Sequence, residues 1–174
     1  LLYKGYTIQP YSPAAGTGLS THELNQPGCY RNVRDTTAIA MFKIDKSVVI
    51  SKGERNIWNN VDKNKENIFF LAWTTTPWTL PGNVLLAINF EVEYVVLEIE
   101  SEEGNIILAK EMVEEVMKDK KYKEVSSLKG SDLIGIEYEP VFSYYKDTPN
   151  AFRVVGADFV STDEGTGIVH IAPG

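Results

Sequence analysis

Short runs of β-branched and aromatic residues, separated by polar turns, follow one another along the chain from position 37 onward. Runs of this kind are typical of β-strands, and their close spacing favours antiparallel pairing. We predict about eight strands from this pattern. The runs themselves lie at 38–44, 47–50, 68–74, 84–90, 94–99, 105–109, 133–136, 152–155 and 167–171.

One segment, 110–118, has a helical pattern instead of a strand pattern. Met112, Val113 and Val116 fall on one side of a helix there, and charged residues occupy the other side. We expect a short helix that covers the sheet, with its methionines filling gaps in the core. The pattern as a whole predicts a β-rich α+β fold. It would contain a β-barrel or strongly curved sheet of short, mostly antiparallel strands and one or two peripheral helices.

The first part of the chain has a different character, because prolines and glycines interrupt it repeatedly and few apolar residues adjoin. Positions 1–34 are therefore predicted to be a linker or lead-in, followed by one domain over 35–174. The chain starts at Leu1 without a methionine, so we expect a fragment of a longer protein.

Charge and composition exclude several classes of function. Asp and Glu number 24 against 17 Lys and Arg, so the net charge of −7 provides no global field that attracts nucleic acid or an anionic membrane. The basic stretch 43–65 is interpreted as a solvated loop, with contact to a phosphate backbone as the alternative. No apolar run reaches the roughly 20 residues of a membrane span. Cys29 is the single cysteine, which excludes an internal disulfide or a multi-cysteine metal cluster. We expect a soluble, cytoplasmic protein.

The sequence WTTTPWTLPGN at 73–83 is the most unusual segment. Three threonines end an apolar strand, and Pro77 forces Thr76 away from helical dihedral angles, so the hydroxyls are displayed at a sheet edge. Hydroxyls bond to ribose, an ester oxygen or a bound water without adding charge. Threonines that merely seal a strand end are the alternative. Trp73 and Trp78 either stack on a nucleobase or belong to the core.

A second segment, STDEGTGIVHIAPG at 161–174, leads from a glycine turn into a strand. Strand alternation places Thr166, Ile168 and His170 on one face. His170 is either a hydrogen-bonded core histidine or part of a pocket wall. A phosphate loop is disfavoured, because the segment has no lysine and precedes a strand instead of a helix. The sequence offers no ligand set for a metal ion.

The two segments together resemble the editing domain of the isoleucyl-tRNA synthetases, a family of class I aminoacyl-tRNA synthetases. Positions 73–83 are similar to its threonine-rich signature, which in valyl and leucyl relatives typically has an arginine after the threonine pair. Positions 165–174 are similar to its second signature, and 11–17, 132–135 and 138–140 resemble further stretches. The resemblance covers nearly the whole chain.

The resemblance implies a domain inserted into a synthetase catalytic core. Such a domain hydrolyses valine wrongly esterified to isoleucine tRNA, after transfer, with water as the nucleophile. The implied catalytic residues are Thr74, Thr75 and Thr76, which hold the terminal adenosine and the ester and orient the water. The implied substrate-binding residues are Trp73, Trp78, Thr79, Gly165, Thr166, Gly167, Ile168 and His170. Among them, His170 shapes the pocket that excludes isoleucine.

The same resemblance implies the partners and cofactors. The expected partners are the 3′ acceptor end of isoleucine tRNA carrying valine and the parent catalytic core, with no membrane, and the fragment is expected to be monomeric. No cofactor is expected in this chain, since ATP and any metal would belong to the parent synthetase. In the family, the second signature continues past Gly174 to an aspartate that holds the substrate ammonium group, so the domain is expected to be truncated at its C-terminus. The alternative is a non-catalytic module that docks the acceptor end or supports the parent fold.

Overall fold

The computed structural model describes residues 4–5, 8–45, 67–100, 104–118 and 120–173. The predicted strand at 47–50 and most of the basic stretch 43–65 lie outside these residues. The chain divides into two compact units, Leu1–Asp35 and Thr36–Gly174. In the first unit, β1 (Tyr11–Ser12) pairs with β2 (Thr17–Gly18), and the helix Thr21–Leu24 follows.

The second unit contains two β-sheets. The larger has the order β3-β4-β7-β6-β8 and the smaller the order β10-β5-β9. Among the described strands, β4 with β7 and β5 with β9 are parallel pairs, and the remaining pairs are antiparallel. The strands are β3 (Ala38–Lys43), β4 (Ile68–Thr74), β5 (Leu85–Ile88), β6 (Glu93–Ile99), β7 (Asn105–Ala109), β8 (Tyr122–Lys129), β9 (Arg153–Gly156) and β10 (Ile168–Ile171).

The core lies where the two sheets meet. Every residue of β7 is buried, and so are most residues of β4, which explains why these strands are continuous apolar runs instead of alternating ones. Strand β10 of the smaller sheet lies against β4 of the larger one. This contact brings the end of β4 next to a strand that follows it by almost a hundred positions in the sequence.

The predicted β-rich α+β class is confirmed, with short helices beside two mixed sheets in which most strand pairs are antiparallel. The barrel stays a prediction, because no closed barrel is found among the strands of the described ranges. The predicted helix at 110–118 consists of a 3-10 turn, Lys110–Met112, followed by the α-helix Val113–Val116. Met112 and Met117 are buried in the core as expected.

The predicted strand at 133–136 is wrong. The helix Gly130–Leu133 occupies the start of that region, because the N–H groups of Gly130 and Ser131 donate to the carbonyls of Val92 and Phe90 and hold the chain in a helical turn. A strand that the pattern did not predict, β8, precedes this helix and forms one edge of the larger sheet.

Tyr94 connects the core to the glycine turn at 165–167, which precedes β10. Its side chain is fully buried on β6, and its hydroxyl donates to the carbonyl of Gly167 at 2.7 Å. The backbone N–H of Asn89 donates to the same hydroxyl oxygen at 3.1 Å. Burial raises the pKa of Tyr94 to about 12, so the phenol stays protonated and remains a donor at physiological pH.

We expect Tyr94→Phe to lower the free energy of unfolding by about 1–3 kcal/mol, because the buried carbonyl of Gly167 and the partly buried N–H of Asn89 both lose their partner. Urea denaturation followed by circular dichroism measures this loss. Tyr122→Phe is the matched control, since Tyr122 on β8 is 42% exposed. Equal stabilities of the two variants would contradict an anchoring role for the Tyr94 hydroxyl.

Candidate functional site

The threonine segment, residues 73–83, starts with the last two residues of β4, which ends at Thr74. The chain then enters a 3-10 helix, Pro77–Gly82, whose first residue is a proline with its φ angle already suited to a helix. Thr76 precedes that proline and has a φ of −125° and a ψ of 66°, outside the helical region. The segment therefore leaves the sheet with its hydroxyl groups close together.

The glycine turn before β10 packs directly on the threonine segment. Gly165 has a φ of +80°, and a Cβ atom placed there would lie 2.7 Å from Cε3 of Trp73. Only glycine allows this approach without displacing the indole ring. The contact places β10, and with it His170, beside the end of β4.

An open cavity of about 370 Å³ lies between these two segments. Most of its wall consists of hydroxyl groups, aromatic carbon and small aliphatic groups, and among the described residues that line it His170 is the one with an imidazole or other titratable side chain. It is lined by Trp73, Thr74, Thr75, Thr76, Thr79, Val169, His170 and Ala172.

Hydrogen bonds link three threonines and the histidine of this cavity. The Thr79 hydroxyl donates to the Thr76 carbonyl at 2.7 Å and lies 3.0 Å from Nε2 of His170. The Thr76 hydroxyl lies 3.3 Å from the hydroxyls of both Thr74 and Thr79. The Thr76 backbone N–H donates to the Thr74 hydroxyl oxygen at 3.1 Å.

Proton positions in this network are assigned from the contacts. Thr79 has one hydroxyl proton, and when it donates this proton to the Thr76 carbonyl, Nε2 of His170 is assigned a proton that it donates to Thr79. All contacts are satisfied together when Thr74 donates to Thr76 and Thr76 donates to Thr79. His170 is then a neutral imidazole that carries its free lone pair on Nδ1.

Nδ1 of His170 has no hydrogen-bond partner among the described residues, although the side chain is only 9% exposed. Burial lowers the pKa of His170 below its ordinary value of 6.5. The charged form would place an N–H group at Nδ1 without an acceptor, so both effects favour the neutral form. The cavity wall is therefore uncharged at neutral pH.

Because the folded protein binds this proton more weakly than the unfolded chain, we expect the free energy of unfolding to fall as the pH drops below 6.5. The loss should be complete once the pH is below the lowered pKa of His170. Urea denaturation between about pH 7.5 and pH 5 measures it, and His170→Gln should remove this part of the slope. His22→Gln is the control, since His22 is exposed. A slope unchanged by His170→Gln would contradict a buried neutral histidine.

Thr75 differs from its neighbours because its side chain is exposed at the cavity. No hydrogen bond of its hydroxyl is found within the described part of the chain, whereas Thr74 is buried and Thr76 is part of the network. Thr75 therefore has a proton and lone pairs available to a bound molecule.

The predicted site residues fall into two groups. Trp73, the three consecutive threonines, Thr79 and His170 line the cavity, whereas Trp78 and the residues 165–168 are absent from its lining. Trp78 is 65% exposed, which excludes the alternative that it belongs to the core. Thr166 and Ile168 are each 1% exposed and belong to the interior.

Val169 and Ala172 line the cavity but were not predicted. Strand alternation puts Val169 on the face opposite His170, and Ala172 is a small residue without a chemical signal. The sequence contained no feature that would have identified either residue, because the cavity wraps around the end of β10.

Within the described ranges, no group of three or more His, Cys, Asp or Glu side chains is placed to hold a metal ion. No helix among those residues is long and apolar enough to cross a membrane.

Known proteins similar to this chain are isoleucine–tRNA ligases. The ligase of Cytophaga hutchinsonii is 47% identical over 193 residues, and that of Porphyromonas gingivalis is 46% identical over 194 residues. Each alignment covers 99% of this chain and 16% of the relative, so the chain spans about a sixth of the length of the curated relatives it matches. No protein-family model matches the chain.

Solved structures with a similar fold are editing domains. The structure described as GlLeuRS-CP1 has a TM-score of 0.63 and 18% identity, covering 78% of this chain and 54% of its own. The editing domain of the cytosolic leucyl-tRNA synthetase of P. falciparum has a TM-score of 0.58 and 13% identity, covering 77% of this chain and 60% of its own. Together, the sequence relatives and this shared fold show that the chain belongs to the isoleucyl-tRNA synthetase family and has the fold of its editing (CP1) domain.

Proposed function

We propose that the chain removes valine that has been wrongly esterified to isoleucine tRNA, by hydrolysis of the ester after transfer. The observation that carries this proposal is the cavity in which the hydroxyls of the threonine segment face a neutral, buried histidine. The family supports the proposal, because isoleucine and valine differ by a single methylene group. One methylene in a hydrophobic pocket discriminates by about 1–3 kcal/mol, for which this pair of amino acids is the standard example, so a second sieve is needed.

Water is the proposed nucleophile. With Nε2 of His170 assigned as a donor to Thr79, the hydrogen-bond network of the described residues contains no general base that would ionise the threonine hydroxyls. The exposed hydroxyl of Thr75 is available to bond the ester oxygen or the attacking water. Placement of the water and hydrogen bonds to the developing oxyanion then lower the barrier.

His170 is the proposed size limit of the cavity. Its ring is held by the bond to Thr79 at 3.0 Å and by burial, so it cannot move aside for a larger side chain without breaking that bond. Valine fits beside it in this proposal, and the extra methylene of isoleucine does not. Thr74 and Thr76 hold the terminal adenosine and keep the segment in shape through their mutual contacts.

The proposed partners are the 3′ end of isoleucine tRNA and the catalytic core of a parent synthetase. Positions 1–34 serve as a lead-in from that core, and 35–174 form the editing domain. ATP and any metal ion belong to the parent, and the chain acts as a monomer in the cytoplasm. Because the net charge is −7, the chain alone should bind tRNA weakly and with a strong dependence on salt.

The proposal is tested by the hydrolysis rates of valyl-tRNA and isoleucyl-tRNA, both charged on isoleucine tRNA, with the chain against a buffer blank. We expect the valyl ester to be cleaved well above the blank and the isoleucyl ester to survive. The variant with alanine at 74, 75 and 76 should return the valyl rate to the blank. Circular dichroism of that variant checks that the fold is retained.

Two results would contradict the proposal. Equal cleavage of both esters would show that the cavity does not select against isoleucine. Full activity of the folded triple variant would show that the threonines take no part in the mechanism. Binding of tRNA without any hydrolysis would instead identify a docking module for the acceptor end.

A further inference from the structure

A loop of exposed aromatic residues lies outside the cavity. Every residue from 139 to 150 is exposed, and this aromatic loop includes Phe142, Tyr144 and Tyr145, which are 41%, 76% and 42% exposed. Large apolar side chains are seldom grouped in this way on a free surface, and such groups mark interaction sites. The proposed hydrolysis makes no use of these residues.

The aromatic loop is fixed to the threonine segment. The hydroxyl of Tyr138, which precedes the loop, donates to Oδ1 of Asn83 at 2.7 Å, and both residues are buried. Asn83 is the residue that ends the 3-10 helix carrying Trp78. Cα atoms of the 3-10 helix Ser143–Tyr145 approach those of this helix to within 8 Å. The loop is therefore held beside the segment that forms the cavity.

The loop offers flat rings without net charge. The rings of Phe142 and Tyr144 are nearly parallel, with an angle of 18° and centroids 6.2 Å apart. Glu139 is paired with Lys43 at 2.9 Å, and the remaining charges, Lys146 and Asp147, have opposite signs. Such a surface has no general attraction for phosphate groups, but it suits nucleobases, which are planar and stack on aromatic side chains.

We propose that Phe142 and Tyr144, together with Trp78, form a stacking surface for the unpaired bases of an RNA 3′ end whose terminal nucleotide occupies the cavity. The inference rests on the proposed function for the identity of the RNA. Unpaired bases are the part of an RNA that proteins read by stacking, and an ester at the 3′ end can reach the cavity only if the preceding nucleotides lie near its mouth.

The test is an NMR titration of the ¹⁵N-labelled chain with a hairpin RNA that has an unpaired 3′ end, up to millimolar RNA. The same hairpin trimmed to a blunt end is the control probe. We expect the amide signals of 142–145 to shift with the first RNA and not with the second. The double variant Phe142→Ala with Tyr144→Ala should raise Kd about tenfold or more, while Tyr122→Ala, an exposed tyrosine on β8, should not change it.

Two further readouts separate stacking from a general structural effect. Tryptophan at both positions should restore the affinity and leucine should not, because leucine is apolar but has no flat ring. The double variant should raise KM for valyl-tRNA and leave kcat unchanged. The plot of log Kd against log salt should shift without a change of slope, because no charge is removed.

The outcomes are distinct from those of the proposed function. If valyl-tRNA is hydrolysed but the loop signals do not shift, or the double variant binds normally, the stacking surface is refuted and the hydrolysis stands. If the loop signals shift and no ester is cleaved, the stacking surface is supported and the proposed hydrolysis is refuted. A double variant that loses self-association of the chain, measured by sedimentation, and not RNA affinity would also overturn the inference.

Discussion

Thr75→Ala is expected to slow hydrolysis of valyl-tRNA about 100-fold, the usual effect of removing one hydrogen-bond donor from a developing oxyanion. Thr75 has the exposed hydroxyl at the cavity, and no hydrogen bond to it is found in the described part of the chain. Its loss should therefore change the stability by less than about 0.5 kcal/mol. Single-turnover rates with excess enzyme measure the chemical step without the contribution of tRNA binding.

Thr75→Ser is the matched control for this prediction, because it keeps the hydroxyl and removes one methyl group. Its rate should stay within a few-fold of the unmodified chain. If the serine and alanine variants are equally slow, the methyl group fills space beside the substrate and the hydroxyl has no part in the reaction. If both are fast, another threonine positions the water.

Gly167→Ala is expected to lower the free energy of unfolding by about 3 kcal/mol. Gly167 has a φ of +70°, which an alanine adopts only with strain, and the added Cβ would lie 2.4 Å from Cβ of Ala109. Ala109 cannot retreat easily, because it is fully buried on β7 and its N–H donates to the carbonyl of Thr166 at 2.9 Å. Thermal and urea denaturation measure the loss.

Gly135→Ala separates the cost of the backbone strain from the cost of the steric clash. Gly135 has a similar φ of +81°, but a Cβ there meets nothing within 4 Å, so its cost should be that of the backbone alone, about 1 kcal/mol. The difference between the two variants is the steric part. A difference near zero would show that Ala109 on β7 moves to accommodate the added methyl group at little cost.

Strands that are buried on both faces were predictable from the sequence. Strands β4 and β7 are almost entirely apolar because they lie inside the larger sheet, so their burial is visible in the residues themselves. Strand β8 is mostly exposed at the sheet edge and exists because β6 offers it a partner, which no local pattern reveals. The prediction of a strand at 133–136 failed for a related reason. The carbonyls of Val92 and Phe90 accept hydrogen bonds from the N–H groups of residues 130 and 131 and hold them in a helix.

The cavity residues with a distinctive chemistry were predictable, and those without it were not. The threonine segment and His170 stood out as polar groups in apolar strands. The exposure of Trp78 was not predictable, since a tryptophan between two prolines fits a core or a surface equally well. The direction of the hydroxyl network was also hidden, because it depends on where the proton of Thr79 goes in three dimensions.

The bond between Thr79 and His170 joins positions 91 residues apart. Closing so long a loop costs conformational entropy that is recovered only after the intervening strands have packed. We expect the cavity to form late in folding, since its two segments are distant in the sequence and both are needed for its geometry. A partly unfolded chain should then lack the complete cavity. Under the proposed function, discrimination between two amino acids is in this way tied to completion of the fold.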